Sequence, residues 1–174
     1  VTPTVKTYTG FTSPAAQTVQ VKGDGTTVVN YYYTRNSYLL TVNAGTGINS
    51  ITVSNSAGIS NIENTDKKKV LSVRYGASVT INADISPGYS WLRWDGSFTQ
   101  TEKLYSFEMP ANEQTLTARA TAGQVIYKVN YWLQNIGDDN YTLKETTEGT
   151  GTTDTYVTPT VKTYTGFTSP AAQT

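Results

Sequence analysis

The chain has 174 residues, 13 basic and 13 acidic side chains, and neither cysteine nor histidine. Zero net charge leaves no electrostatic footprint for nucleic acid or an anionic membrane. Without those two residue types there are no disulfides, thiol nucleophiles or thiolate metal sites, and the commonest general base and metal ligand is missing. With 37% hydrophobic and 15% charged residues, and abundant Thr, Tyr, Ser and Gly, the composition reads as a mainly β protein. β-branched and aromatic side chains fit pleated surfaces, and the apolar content is too high for disorder. No run of about 18 apolar residues marks a membrane span.

The first stretch, Val1–Thr18 (VTPTVKTYTGFTSPAAQT), recurs letter for letter as Val157–Thr174, 156 residues later. An identity of that length marks one period of a tandem array followed by the start of the next. A duplicated segment added at one end is the alternative, but the text runs on continuously around the second copy. Pro3, Pro14 and Gly10-Phe11 make the stretch a connector with at most one short helical turn, anchored by Tyr8 and Phe11.

Residues 19–35 read as a hairpin. Val19 and Val21 alternate with Gln20 and Lys22, Asp24-Gly25 supplies the turn, and Val28–Tyr33 returns with apolar or aromatic residues on both faces. A second unit follows. Tyr38, Leu40 and Val42 share one strand face, and Ile51 and Val53 alternate after a Gly45–Gly47 turn. Residues 55–69, containing Asn55, Gly58, Asn61, Asn64 and the run Asp66–Lys69, read as a solvated polar loop, because three lysines fall short of an interaction tail. Strands are predicted at Val70–Tyr75, at Ser78–Ile85 with Val79, Ile81, Ala83 and Ile85 inward, and around Tyr89, Trp91 and Trp94. Two more are predicted at Leu104–Met109 and Thr115–Ala120.

A new unit opens at Val125. Tyr127, Val129, Tyr131 and Leu133 alternate with Lys128, Asn130, Trp132 and Gln134. Gly137–Asn140 is a turn rather than a calcium loop, since the alternating acidic ligands and distal Glu are missing. Tyr141–Thr147 is a weaker strand and Glu148–Asp154 a Gly/Thr loop. The unit has a first hairpin and the connector, whereas the start of the chain has the connector and a second hairpin.

Read across the period, YKVNYWLQNIGDDNYTL, GTGTTDTYVTPTVKTYTGFT and VQVKGDGTTVVNYYYTR resemble the Listeria–Bacteroides repeat, also called the internalin B-type B repeat. The stretch YGASVTINADISPGYSWLRWDG, with the later FEMPANEQTLTARA, is similar to divergent relatives of that repeat. It departs from their Gly-Tyr…Trp-x-Gly pattern by one inserted residue and the extra Trp91. The resemblance implies a β-grasp-like module of two hairpins around a short helix or connector, plus a compact second β module. The domains then run 1–35 (the C-terminal part of one β-grasp-like repeat), 36–122 (the divergent module) and 123–174 (the N-terminal part of the next). The expected fold class is mainly β: two small antiparallel modules with at most one short helix.

The resemblance also implies a bacterial cell-surface or secreted repeat protein, used as a stalk, spacer or self-assembling array. The alternative is an adhesin module binding a host protein or glycan through many weak contacts. Candidate ligand or interface residues are the aromatics Tyr89, Trp91 and Trp94, the run Tyr31, Tyr32 and Tyr33, and Trp132. Trp91 and Trp94, three apart on one strand, are expected to face opposite ways, so at least one belongs to the core. No phosphate loop, nucleophile elbow or paired-carboxylate motif is present, so neither enzyme activity nor a cofactor is expected. The expected partner is a neighbouring repeat of the same protein, joined head to tail through 1–35 and 125–174. Closure within one chain, or a segment of a longer fibre, would also bring those parts together.

Overall fold

The computed structural model describes residues 1–54 and 59–173. Among them there is no helix, and every regular element is a strand. Two compact units divide the chain: Val1–Ser86 with Trp91–Ala120, and Pro87–Ser90 with Thr121–Thr174.

The first unit begins with a two-residue pairing of β1 (Phe11–Thr12) with β2 (Thr34–Arg35). The remaining strands are β3 (Ser37–Ala44), β4 (Ile48–Ser54), β5 (Ile59–Asn64), β6 (Lys68–Arg74), β7 (Ser78–Ile85), β8 (Tyr89–Gly96), β9 (Tyr105–Glu108) and β10 (Gln114–Ala122). One sheet has the order β5-β6-β3-β10-β8 and the other β4-β7-β9. The mainly β reading therefore stands. Within the larger sheet, however, β3 and β10 run parallel, from Leu40 opposite Gln114 to Ala44 opposite Ala118. A parallel neighbour needs a long crossover, which here is the whole of β4 to β9.

Strand alternation puts one side of each sheet into a common core. Leu40 and Val42 of β3, Val73 of β6, Leu116 and Ala118 of β10 and Trp94 of β8 are fully buried, with Leu71 almost so. They share the core with Ile48 and Ile51 of β4, Val79, Ile81 and Ala83 of β7, and Met109. Of the inward residues read from β7, Val79, Ile81 and Ala83 are buried and Ile85 is half-buried.

The polar stretch after β4 does not stay a loop, because β5 pairs antiparallel with β6. Its four residues 55–58, including Asn55 and Gly58, lie outside the described residues. An edge strand has one neighbour and an open side, so it needs little apolar alternation, and Ile62 is left exposed. The lysine run is engaged locally. Lys67 Nζ donates to the Ile48 carbonyl at 2.6 Å, Lys68 pairs with Glu63 at 2.7 Å, and Lys69 donates to Asn64 Oδ1 at 2.6 Å.

The second unit is built on one long antiparallel hairpin, β11 (Gln124–Gln134) and β12 (Tyr141–Thr152). Its turn is closed by Asp138, whose Oδ1 accepts from Asn135 Nδ2 at 2.9 Å and from the Asn140 amide at 2.7 Å. β12 runs five residues beyond the predicted strand, through the expected Gly/Thr loop. The glycines there give clearance. A Cβ on Gly149 would sit 2.4 Å from Tyr127 Cζ, and one on Gly151 would sit 2.8 Å from Val157 Cγ1. Bare backbone lets the Tyr127 ring lie across the strand without ending it.

Candidate functional site

Residues 19–33 carry no strand, which corrects the predicted hairpin. Only the Asp24 turn forms, with Asp24 Oδ1 accepting from the Thr26 amide and hydroxyl at 3.0 and 2.8 Å. Residues 27–33 still alternate in burial with period two. Their partner is the connector rather than a sister strand. Val19 and Val1 exchange both backbone bonds, at 3.0 and 2.8 Å. Gln17 Nε2 donates to the Asn30 carbonyl at 3.0 Å. The Tyr31 hydroxyl donates to the Pro3 carbonyl at 3.0 Å and the Tyr33 hydroxyl to the Lys6 carbonyl at 2.8 Å. The Tyr33 ring meets Tyr8 edge-on at 4.9 Å. Alternation correctly signals an extended chain with two faces, but does not say which segment lies beside it.

The connector itself is not helical. Its turn lies at Gly10, φ 80°, where the Phe11 amide donates to the Tyr8 carbonyl at 3.1 Å. Ser13 Oγ donates back to the Lys6 carbonyl at 3.2 Å. Phe11 then packs edge-on with Tyr75 at 5.8 Å, and the Arg35 guanidinium lies over the Phe11 ring at 5.8 Å.

The second copy of the connector lies on the hairpin of the second unit. Tyr131 and Glu145 are directly opposed across β11 and β12, and a bulge follows at Trp132. Bulges re-aim neighbouring side chains. Onto that pair come Lys162, 2.8 Å from Glu145 Oε2 and 4.8 Å over the Tyr131 ring, and Tyr164, whose hydroxyl donates to Glu145 Oε1 at 2.5 Å. The Tyr131 hydroxyl donates in turn to the Thr160 carbonyl at 2.9 Å. The Lys162 hydrogen bond, and then that of Tyr164, hold the Glu145 carboxyl below its ordinary range. The same bond, seen from the other side, pushes the Tyr164 hydroxyl up to about 12. This four-residue latch is invisible to periodicity, because it joins residues far apart in sequence. The one available signal was the alternation that turned Tyr131 inward.

The aromatic candidates do not form one site. Tyr89 belongs to the second unit, where its hydroxyl donates to Asp154 Oδ2 at 2.7 Å. Trp91 and Trp94 belong to the first unit and do not face opposite ways, since their rings meet at 5.4 Å. The loop after β8 folds back through mutual Trp94–Gln100 backbone bonds. Both indoles donate into it, Trp91 to the Thr101 carbonyl at 2.7 Å and Trp94 to the Lys103 carbonyl at 3.0 Å. Trp94 is 0% exposed and offers no face to a ligand. Tyr31 and Tyr33 are half-buried against the connector, while Tyr32 is 80% exposed and Trp132 53%. Among the described residues, no group of three or more Asp or Glu side chains is placed to hold a metal ion.

The first unit is thus a β module of two facing sheets, entered through a duplicated connector that each unit holds in its own way. Residues 38–124 match the divergent InlB B-repeat domain, and the chain belongs to that family. The family is typical of bacterial surface proteins. Neither a curated protein nor a solved structure matches the chain.

Proposed function

We propose that this chain is one period of a non-catalytic tandem repeat on a bacterial cell surface, serving as stalk or spacer, with successive periods joined head to tail. The observation that carries this reading is the duplicated connector. The same 18 residues recur 156 residues later, and the turns they carry fold alike. Phe167 donates to the Tyr164 carbonyl at 3.1 Å as Phe11 does to Tyr8, and Ser169 donates to the Lys162 carbonyl at 3.2 Å as Ser13 does to Lys6. A part repeated with its conformation intact sets a constant interval, and nearest-neighbour contacts stabilise such arrays. The divergent B-repeat family supports the surface setting. The test is contour length. Chains of two, four and eight periods, imaged singly, should lengthen by a constant increment per period, and a compact particle whose span does not grow contradicts the reading.

The adhesin alternative rests on the exposed ring of Trp132. Its test is binding of a multi-period chain to glycans and host proteins, lost on Trp132→Ala.

A further inference from the structure

The duplicated connector is a natural experiment, because one sequence is seen in two settings. Its local fold is the same in both, including the turn glycine, at φ 80° in Gly10 and 83° in Gly166. What covers it differs. In the first copy Gly10 is buried and Phe11, Ser13 and Pro14 are half-buried, while Lys6 and Tyr8 are exposed. In the second copy these positions are reversed, although Pro3 and Val5 and their counterparts Pro159 and Val161 are half-buried in both. Lys162 and Tyr164 are half-buried on the Glu145 seat, while Gly166, Phe167, Ser169 and Pro170 are exposed.

The two sets of tyrosine contacts fall on different backbone carbonyls. Tyr31 bonds the Pro3 carbonyl, whereas Tyr131 bonds the Thr160 carbonyl, the counterpart of Thr4. The two tyrosines therefore use different acceptors. The Lys6 backbone carbonyl receives Tyr33, while the Lys162 side chain serves Glu145. Among the described residues, no tyrosine hydroxyl reaches the Pro159 or Lys162 carbonyl of the second copy. Instead, an open groove of about 900 Å³ runs along β11 and the second connector. It is lined by Tyr131, Lys162 and Tyr164 of the latch and by Trp132, Phe167 and Pro170 among others.

We propose that this groove is the acceptor for residues 19–35 of a second copy of this repeat, which lie along residues 157–173 as residues 19–35 lie along the first connector. The proposal rests on the head-to-tail reading above and names the surface that makes the joint. Tyr31 and Tyr33 of the incoming segment donate to the Pro159 and Lys162 carbonyls, and the Tyr33 ring stacks edge-on against Tyr164. The incoming Val19 pairs with Val157. The incoming segment then lies beside the latch, in a groove that Tyr131, Lys162 and Tyr164 themselves line. In any pair of chains so joined one connector copy is redundant. This is the relation expected if successive repeats share a single connector.

The test uses the full 174-residue chain and a free peptide of residues 19–35, titrated while amide resonances are followed. Saturable binding is expected, with shifts concentrated on Val129–Leu133 and on residues 157–170. The peptides Tyr31→Phe and Tyr33→Phe should each bind about 3- to 10-fold more weakly, since each lacks one hydroxyl donor. These variants cannot unfold the receptor. No saturation up to about 1 mM peptide, a limit corresponding to roughly 4 kcal/mol of binding free energy, would overturn the assignment. So would shifts confined to residues 1–18, or phenylalanine peptides that bind as tightly as the parent. Such a failure would leave the array reading standing. That reading falls instead if chain length fails to scale with period number.

Discussion

Gly10→Ala and Gly166→Ala are the same substitution in the same 18-residue sequence, and the structure predicts different costs. Both glycines have positive φ, 80° and 83°. A side chain there costs about 1–2 kcal/mol at either position. Only Gly10 is also crowded, because an added Cβ would lie 2.2, 2.3 and 2.7 Å from three ring carbons of Tyr75. Forcing that ring aside adds overpacking of about 1–3 kcal/mol, for a total near 2–5 kcal/mol. At Gly166 nothing lies within 4 Å, so the total stays near 1–2 kcal/mol.

The assay is native-state amide exchange, which reads local opening. The Asn36 amide donates to the Gly10 carbonyl at 2.9 Å and reports release of the first connector from the β2–β3 junction. The Phe167 amide reports the second turn. At about 1.4 kcal/mol per tenfold, Gly10→Ala should speed Asn36 exchange by roughly 30- to 4000-fold. Gly166→Ala should speed Phe167 exchange by roughly 5- to 30-fold. Equal acceleration at the two sites, or an unaffected Asn36, would refute the packing of Tyr75 on the Gly10 turn.

Three further outcomes follow from other contacts. Trp94→Ala removes a fully buried ring and its bond to Lys103, and should cost about 3–5 kcal/mol in urea unfolding. Trp132→Ala, at an exposed position, should change stability by no more than about 0.5 kcal/mol. Gly149→Val sets a branched side chain against the Tyr127 ring, and should weaken the β11–β12 hairpin by about 1–3 kcal/mol while leaving the first unit's melting unchanged.

The latch should respond to pH at both ends. Folding lowers the Glu145 pKa from 4.5, so its contribution is present above that value and is lost as pH falls through the lowered one. Folding raises the Tyr164 pKa from 10.0 to about 12, so that contribution is present below 10 and lost as pH rises through about 12. Lys162 and Tyr164 resonances should therefore move together with Glu145 below pH 4.5. Glu145→Gln should abolish that acid step and return the Tyr164 titration towards 10.

Much of the fold was legible because it depends on period-two burial. In β7, Val79, Ile81 and Ala83 alternate with polar residues and are buried as read. β11 leaves Tyr127, Val129, Tyr131 and Leu133 half-buried and Lys128, Asn130, Trp132 and Gln134 exposed, in the alternation read. Illegibility began where the partner or the local geometry decides. Residues 28–33 have the composition of a central strand, yet pair through tyrosine hydroxyls with the connector. The glycines of β12 look like a loop until the Tyr127 ring is placed against them. β5 is too polar to announce itself because an edge strand need bury little. The Trp91–Trp94 contact depends on the fold-back at Gln100, which no alternation rule contains. The latch joins side chains from three separate stretches, so only their folded placement could reveal it.

In the proposed array each period completes its neighbour through the shared connector. The most direct measurement is hydrogen exchange on a chain of two consecutive periods, comparing the internal and the terminal copy of residues 125–173. The account predicts strong protection of β11 and the connector in the internal copy, where the sequence of residues 19–35 follows, and faster exchange of the same residues in the terminal copy. Equal rates in the two copies would contradict it.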